Sequence, residues 1–348
     1  MPFWINLAVS IISMIIAAVL GIVLIPYLHR LKFGQPIKTE DGPKWHAKKQ
    51  GTPTMGGLMF IISTIAASAI GYCIFRWKCG IDVTEKANSD AALTVLSCLI
   101  FSFLFAVIGF IDDFIKVARK HNDGLTAIQK IILQLLFAGA FLGALYLLGD
   151  HSTVIDLAFV KFDLGIFYYP LMFAVIVYLT NAVNLTDGVD GLCGSVTFVA
   201  MLVFTVACAI LKFTELSLFT MAVAGGCLGF LVWNLNPAKC FMGDTGSMFL
   251  GAAVTSVGLV LHKHVFLLLV ALVYILEALS VVIQVSYFKY TAKKHFKATG
   301  EKGKGKRIFK MTPIHHHFEM SNFSEYKIVF TFSGFGLISG VLGILTLL

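Results

Sequence analysis

The chain has 348 residues, of which 58% are hydrophobic and only 13% charged, with a formal net charge of +8. A soluble domain cannot bury so large an apolar fraction, so the composition excludes a soluble globular protein and indicates an integral membrane protein. The basic residues lie in short connections between apolar runs, which argues against nucleic-acid binding, and seven scattered cysteines argue against a disulfide framework.

The apolar runs predict an all-α, polytopic bundle of about ten transmembrane helices, because one span needs about 20 mostly apolar residues. We expect a single domain over residues 1–348. The first run has no basic segment before it, so we interpret it as a retained helix and not as a cleaved signal. The predicted spans are 5–28, 55–75, 92–111, 128–148, 169–184, 192–211, 217–233, 247–262, 265–288 and 327–348.

Lysine and arginine are unevenly distributed between the two sides of this arrangement. The odd-numbered connections carry 21 of the 27 Lys and Arg residues, and the even-numbered connections carry the other 6. Cytoplasmic loops are enriched in these residues, so the sequence predicts that both termini lie outside the cytoplasm. All the polar motifs described below then lie at the cytoplasmic face.

Two connections have a distinctive composition. Alternating apolar and polar residues after Asp150 are compatible with a small external β-hairpin near 152–163. The stretch 293–310 is rich in lysine and glycine and predicts a flexible surface loop, which anionic lipid headgroups would attract.

The first polar motif enters the second span as Lys49-Gln50-Gly51-Thr52-Pro53-Thr54. Its lysine and threonines would suit a nucleotide or pyrophosphate. A simple transition from loop to helix explains the string equally well.

The second motif is the acidic pair Asp112-Asp113 at the end of the third span. Acids at a helix C-terminus are disfavoured by the helix dipole, which favours a functional reading over an ordinary solvated end. Adjacent helical residues point about 100° apart, so we expect one carboxylate to bind a metal or act as a base and the other to orient it.

The third motif places Asn184, Asp187 and Asp190 at intervals of three after the fifth span. On a continuous helical turn these side chains would share one face. Glycines within the segment permit close approach of a ligand, whereas a plain turn would need fewer polar residues.

The fourth motif, Gly243-Asp244-Thr245-Gly246-Ser247, immediately precedes an apolar helix. Its residues are good N-cap types, and a helix N-terminus flanked by glycines suits a phosphate group. Capping alone does not explain why Asp244 joins four other acids on the predicted cytoplasmic face.

The fifth motif is Thr312-Pro313-Ile314-His315-His316-His317 in the last cytoplasmic loop. Thr312 is a candidate N-cap for a short helix with Pro313 at its first position. The histidines could bind zinc, donate to phosphate or relay protons. Zinc is the weaker reading, because neighbouring histidines cannot all face one ion.

Together these motifs resemble those of the polyprenyl-phosphate N-acetylhexosamine 1-phosphate transferase superfamily, over nearly the whole chain. The histidine string is similar to that of the members acting on UDP-N-acetylmuramoyl-pentapeptide. The resemblance implies a Mg²⁺-dependent transfer of phospho-N-acetylmuramoyl-pentapeptide to undecaprenyl phosphate, with UMP and lipid I as products. It further implies a bacterial inner-membrane protein whose active site faces the cytoplasm.

The resemblance also implies roles for individual residues. Asp244 would be the Mg²⁺ ligand and Phe241 would stack on uracil. The implied catalytic residues are Asp112, Asp113, His315, His316 and His317, and the implied substrate-binding residues are Lys49, Thr54, Lys116, Asn184, Asp187, Asp190, Asn234 and Phe241.

Two other functions stay open from the sequence. A transferase for UDP-N-acetylglucosamine would use the same acids, and a secondary transporter also places acids in a helix bundle. Clustering of the acids at one face and the lack of an evident internal repeat count against the transporter. A homodimer is compatible with such a bundle.

Overall fold

The computed structural model describes residues 3–31, 49, 51–80, 84–119, 123–300 and 305–348. Within these residues the chain is a helix bundle with one two-stranded hairpin and a short 3₁₀ turn at Gly165–Phe167. The helices are α1 Phe3–Arg30, α2 Leu58–Cys79, α3 Lys86–Arg119, α4 Ala127–Leu147, α5 Tyr168–Thr186, α6 Leu192–Ile210, α7 Thr214–Asn234, α8 Gly243–Val260, α9 His264–Val270, α10 Leu272–Thr299, α11 Ile314–Glu319 and α12 Glu325–Leu345.

The all-α polytopic fold is confirmed. In the described part of the chain, nine helices are long and apolar enough to cross a membrane, and α8 corresponds to the remaining predicted span, 247–262. Helix α8 has 18 residues and spans about 27 Å at 1.5 Å per residue. It carries many glycines, serines and threonines because almost all of its residues are buried against protein.

Helix α8 is the centre of the bundle, and its neighbours approach it through glycines. A Cβ at Gly109 of α3 would lie 2.1 Å from the backbone oxygen of Asp244. A Cβ at Gly57, just before α2, would lie 2.3 Å from the Cα of Gly246. These contacts bring the end of α3 and the start of α2 directly onto the first turn of α8.

The predicted β-hairpin near 152–163 is confirmed. Strands β1 Val154–Asp156 and β2 Lys161–Asp163 pair antiparallel. The Asp156 carboxylate lies 2.8 Å from Lys263 Nζ and 3.2 Å from Lys161 Nζ. The hydrogen bond from Lys263 lowers the pKa of Asp156. These contacts attach the hairpin to the connection between α8 and α9.

Two predicted helix ends are wrong. Helix α3 continues beyond the predicted end at 111 to Arg119. Helix α10 continues through Thr299, so the first part of the predicted loop 293–310 is helical. Lysine and alanine are good helix formers, and Gly300 ends α10 in the left-handed conformation that glycine adopts readily. Residues 301–304 of that loop, like the first-loop residues 32–48, lie outside the described residues.

Candidate active site

Three acids from two helices meet at one end of the bundle. One carboxylate oxygen from each of Asp112, Asp113 and Asp244 lies within 4.8 Å of the others. Helix α3 carries the first two and the first turn of α8 carries the third. Two motifs more than a hundred residues apart in sequence therefore form one cluster, as the sequence predicted.

Asp113 holds the N-terminus of α8. Its Oδ1 accepts the backbone N–H of Asp244 at 3.2 Å, and its Oδ2 accepts the backbone N–H and hydroxyl of Thr245 at 2.9 and 2.7 Å. These bonds satisfy donors that a helix start leaves without partners. Self-capping by the 243–247 string, the simpler alternative weighed from the sequence, does not occur, because the N-cap position is Met242 and the capping carboxylate comes from α3.

Asp112 faces two lysines. Its Oδ2 lies 2.6 Å from Lys116 Nζ and 3.1 Å from Lys130 Nζ, and its Oδ1 accepts the backbone N–H of Leu125. The same two ammonium groups lie 3.1 and 2.8 Å from Asp244 Oδ2. The two adjacent carboxylates thus have different partners, the two lysines for Asp112 and the first turn of α8 for Asp113. Lys130 belongs to no sequence motif. Its role was not predicted, because only the packing of α4 beside α3 brings its ammonium group to Asp112 and Asp244.

The predicted common face for Asn184, Asp187 and Asp190 is wrong. Helix α5 ends at Thr186, so only Asn184 is helical. Its Nδ2 donates to Asp244 Oδ1 at 3.0 Å and to Ser247 Oγ at 2.7 Å. Glycines in the segment end the helix, and Asp190 consequently points to a different group of residues.

Asp187 lies beside the acid cluster, where the surrounding protein covers most of its side chain. Burial, followed by the charges of Asp244, Asp113 and Asp190, raises its pKa to about 8. Repulsion among these carboxylates marks a place where a cation would be stabilised.

A second charged group surrounds Lys49. Its Nζ lies 2.7 Å from Asp190 Oδ1 and 2.8 Å from Glu325 Oε2. Burial alone would lower the pKa of Lys49, but hydrogen bonds to these two carboxylates outweigh it and raise the pKa above its usual value. Asp190 Oδ2 also accepts from Asn236 Nδ2 and Ala238 N. Glu325 opens α12 and was not predicted, since the sequence gives no sign that α12 begins beside the first loop.

Three other predicted binding residues line the same region. Asn234 accepts from Gly191 N and donates to Cys240 O, so it joins two loops. Phe241 exchanges backbone hydrogen bonds with Pro53 and Gly56. The hydroxyl of Thr54 is buried without a hydrogen-bond partner among the described residues.

The three histidines point in different directions, as expected for consecutive residues. His315 Nδ1 lies 3.0 Å from Glu277 Oε2, and both residues are fully buried. His316 pairs with Glu319, and His317 Nδ1 accepts the backbone N–H of Lys310. Helix α11 begins at Ile314 with Pro313 at the N-cap, so the predicted cap at Thr312 is wrong.

The comparisons with known proteins agree with this geometry. The model of Glycosyl transferase family 4 matches residues 95–262, and the phospho-N-acetylmuramoyl-pentapeptide-transferase signature 1 matches residues 49–61. A relative of that name from Clostridium botulinum (strain Eklund 17B / Type B) is 44% identical over 331 residues, which is 94% of this chain and 92% of the relative. One from Halalkalibacterium halodurans is 42% identical over 335 residues, 96% of this chain and 95% of the relative.

The chain belongs to the phospho-N-acetylmuramoyl-pentapeptide-transferase family.

The signature of this family covers Lys49 and Thr54, and the family 4 match covers all three clustered acids. The structure joins these two parts of the family's pattern through the backbone bonds between the 53–57 and 241–242 segments. His315, His316 and His317 lie outside both matched ranges. These histidines belong to α11. The contact between Glu277 and His315 attaches α11 to α10 and so holds the histidines near the acid cluster.

The donor set of the acid cluster suits a hard divalent cation. Three carboxylates from two rigid helices offer the oxygen ligands that Mg²⁺ prefers. Lys116 and Lys130 neutralise part of this negative charge by binding Asp112 and Asp244. A cation at the cluster would therefore compete with the two ammonium groups for the same oxygens.

Proposed function

We propose that the protein transfers phospho-N-acetylmuramoyl-pentapeptide from UDP-N-acetylmuramoyl-pentapeptide to undecaprenyl phosphate, releasing UMP and forming lipid I for peptidoglycan synthesis. The observation that carries this proposal is the meeting of Asp112, Asp113 and Asp244 with two lysines in a chain of this family. Relatives of nearly the same length bear the corresponding name.

In this proposal the site lies at the cytoplasmic face of a bacterial inner membrane. The uneven distribution of Lys and Arg supports this orientation. The phosphate of a polyprenyl carrier lies at the membrane surface and the nucleotide sugar is soluble in the cytoplasm. A site at the cytoplasmic helix ends allows the two anionic substrates to meet within one domain over 1–348.

A Mg²⁺ ion would be held by Asp244, with Asp112 and Asp113 as the other candidate ligands. When bound, it supplies charge neutralisation for the diphosphate. Two further cations come from the chain itself, since Lys116 and Lys130 already lie at the Asp112 and Asp244 oxygens.

Asp112 is the better candidate for the base that deprotonates the lipid phosphate before it attacks the β-phosphorus. Among the described residues, the hydrogen bonds of Asp113 go to the first turn of α8, so this carboxylate organises the cluster. Asp112 is held beside two lysines that would orient an incoming phosphate. A two-step route through an aspartyl-phosphosugar intermediate is the alternative, and trapping such an intermediate without lipid would replace the direct route.

The nucleotide sugar is placed along the loops that join the two charged groups. Asn184 and Asp187 border the acid cluster, whereas Lys49 and Asp190 form the second group. Phe241 is the candidate for stacking on uracil, with Thr54 and Asn234 beside it. In this proposal the histidines lie beside the sugar diphosphate, next to the turn between Asp187 and Asp190.

The decisive experiment incubates purified protein with polyprenyl phosphate, Mg²⁺ and one of two donors, and measures UMP release. We expect release with UDP-N-acetylmuramoyl-pentapeptide and at most background with UDP-N-acetylglucosamine. Asp244→Asn should abolish turnover, while Asp163→Asn in the external hairpin should leave it unchanged. Turnover with the second donor alone would assign the chain to N-acetylglucosamine transfer, and lack of turnover with both would refute the proposal.

A further inference from the structure

Glu277 is an acid inside a membrane-spanning helix. It lies on α10 and its exposed fraction is 0%. An ionisable side chain at such a position is costly in free energy, and its partner commonly identifies a functional role. The partner here is His315, whose exposed fraction is also 0%.

The contact between the two residues defines the orientation of the imidazole. Glu277 Oε2 lies 3.0 Å from His315 Nδ1 and 3.4 Å from the backbone nitrogen of His315. Oε2 already accepts the backbone N–H of His315, and in the tautomer that completes this contact Nδ1 carries the proton and also donates to Oε2. The other ring nitrogen of His315, Nε2, is buried without a hydrogen-bond partner among the described residues.

Gly188 lies against the other side of the ring. A Cβ at this position would be 2.2 Å from His315 Nε2, 2.7 Å from Cε1 and 3.3 Å from Cδ2. All three nearest atoms belong to His315, so a side chain at 188 would displace this ring specifically. Gly188 belongs to the turn that carries Asp187 and Asp190, and Nε2 therefore faces the turn that joins the two charged groups of the site.

We propose that Glu277 and Gly188 are positioning residues for His315. Glu277 fixes the proton on Nδ1 from the membrane-embedded side. Gly188 leaves the space that lets the ring lie against the turn between Asp187 and Asp190. The inference rests on the proposed function, since it assigns these two residues to the transferase site through His315.

A double-mutant cycle between Glu277 and His315 tests the first contact. Glu277→Leu should lower kcat/KM by about 10- to 100-fold, the range seen when a carboxylate that orients a histidine ligand is removed. In the His315→Ala background the same substitution should change kcat/KM by less than about twofold, because a residue acting only through His315 has nothing left to position. Glu277→Gln, which keeps an oxygen acceptor for Nδ1, should recover part of the loss. Equal losses in both backgrounds would overturn the proposal.

A cycle between Gly188 and His315 tests the second contact. Gly188→Ala should lower kcat/KM and the midpoint of thermal unfolding in the otherwise unchanged chain. With His315→Ala the added methyl group has room, so the double variant should match His315→Ala alone. A Gly188→Ala penalty that persists without the imidazole would overturn this contact.

Ser280→Ala is the matched control on α10, because within the described residues its hydroxyl donates to a backbone oxygen, that of Glu277, and to no side chain. It should leave both kcat/KM and the midpoint of thermal unfolding unchanged.

Both double-mutant cycles are also measured on the midpoint of thermal unfolding without substrate. Coupling there, together with absence of UMP release by the unchanged chain, would refute the proposed function and leave the two contacts established. Additive effects in an active enzyme would refute the positioning roles alone.

Discussion

At the scale of single residues, the site balances carboxylates against lysines. Asp112 and Asp244 share the ammonium groups of Lys116 and Lys130, whereas Asp187 has neighbours of like charge. Removing one partner from a buried charged pair leaves the other uncompensated, which costs more than removing both. The individual charges should therefore respond differently to pH and to substitution.

Asp187 should make the metal-free protein less stable as the pH rises. Its pKa is raised from 3.8 to about 8, so the folded state binds the proton more tightly than the unfolded chain. Between about pH 4 and pH 8 the unfolded state binds fewer protons, and the free energy of unfolding falls with increasing pH. In the Asp187→Asn variant, the midpoint temperature of thermal unfolding should depend less on pH over this window. An unchanged slope in the variant would contradict the assignment.

Glu325 should support nucleotide binding through Lys49. Glu325→Gln removes one of the two carboxylates on the Lys49 ammonium and weakens the acceptor for the Asp190 backbone N–H. We expect a KM for the nucleotide sugar raised about tenfold with a smaller change in kcat, because a loosened binding residue mainly affects ground-state affinity. Steady-state kinetics beside the exposed control Glu85→Gln measure this. A fall in kcat at constant KM would instead place Glu325 in the chemical step.

At the scale of helices, the site depends on how closely α3 approaches α8. Gly109→Ala would place a methyl group 2.1 Å from the Asp244 backbone oxygen and should separate the acids. The cost should be at least about 1–3 kcal/mol from overpacking, with loss of activity. Gly143→Ala on α4, whose Cβ would meet nothing within 4 Å, is the matched control. It should be neutral or slightly stabilising, since alanine favours a helix by about 1 kcal/mol. Similar thermal midpoints for both variants would contradict the close-contact account.

The sequence predicted correctly which helices and strands are present, but it placed several helix ends wrongly. Hydrophobic runs located every long helix, because burial in lipid requires continuous apolar segments, and alternating apolar and polar residues located the hairpin. Short polar interruptions were enough to divide neighbouring spans, since Lys212 lies between α6 and α7, and His262 and Lys263 lie between α8 and α9. Two features depend on packing and could not be predicted from the pattern. Asp113 caps α8, and the end of α5 before Asp187 leaves Asp190 in contact with Lys49.

The same limit applied to the site residues. Motifs rich in acids were recognisable in the sequence because carboxylates are rare beside hydrocarbon. Lys130, Glu277 and Glu325 were not singled out, since each is an isolated charged residue whose partner comes from a distant helix. Only the three-dimensional arrangement gives these residues a role.

At the scale of the whole molecule, the proposed orientation fixes which side each connection occupies. In this proposal both termini lie outside and the acid cluster inside, and the bias of Lys and Arg is the observation that supports it. An epitope fused after Leu348 should bind antibody on intact spheroplasts. An epitope inserted after Gly300, which follows the last residue of α10, should bind antibody only after the spheroplasts are permeabilised. The reverse pattern would contradict the orientation and the access of a cytoplasmic nucleotide to the site.

The central claim is that acids from α3 and α8 together bind a divalent cation. The most direct test is Mn²⁺ binding to the purified protein, followed by electron paramagnetic resonance with Mn²⁺ replacing Mg²⁺. The account predicts one competable site per chain that is lost in Asp244→Asn, weakened in Asp112→Asn and retained in Asp163→Asn. Equal Mn²⁺ binding by the unchanged chain and Asp244→Asn would contradict it.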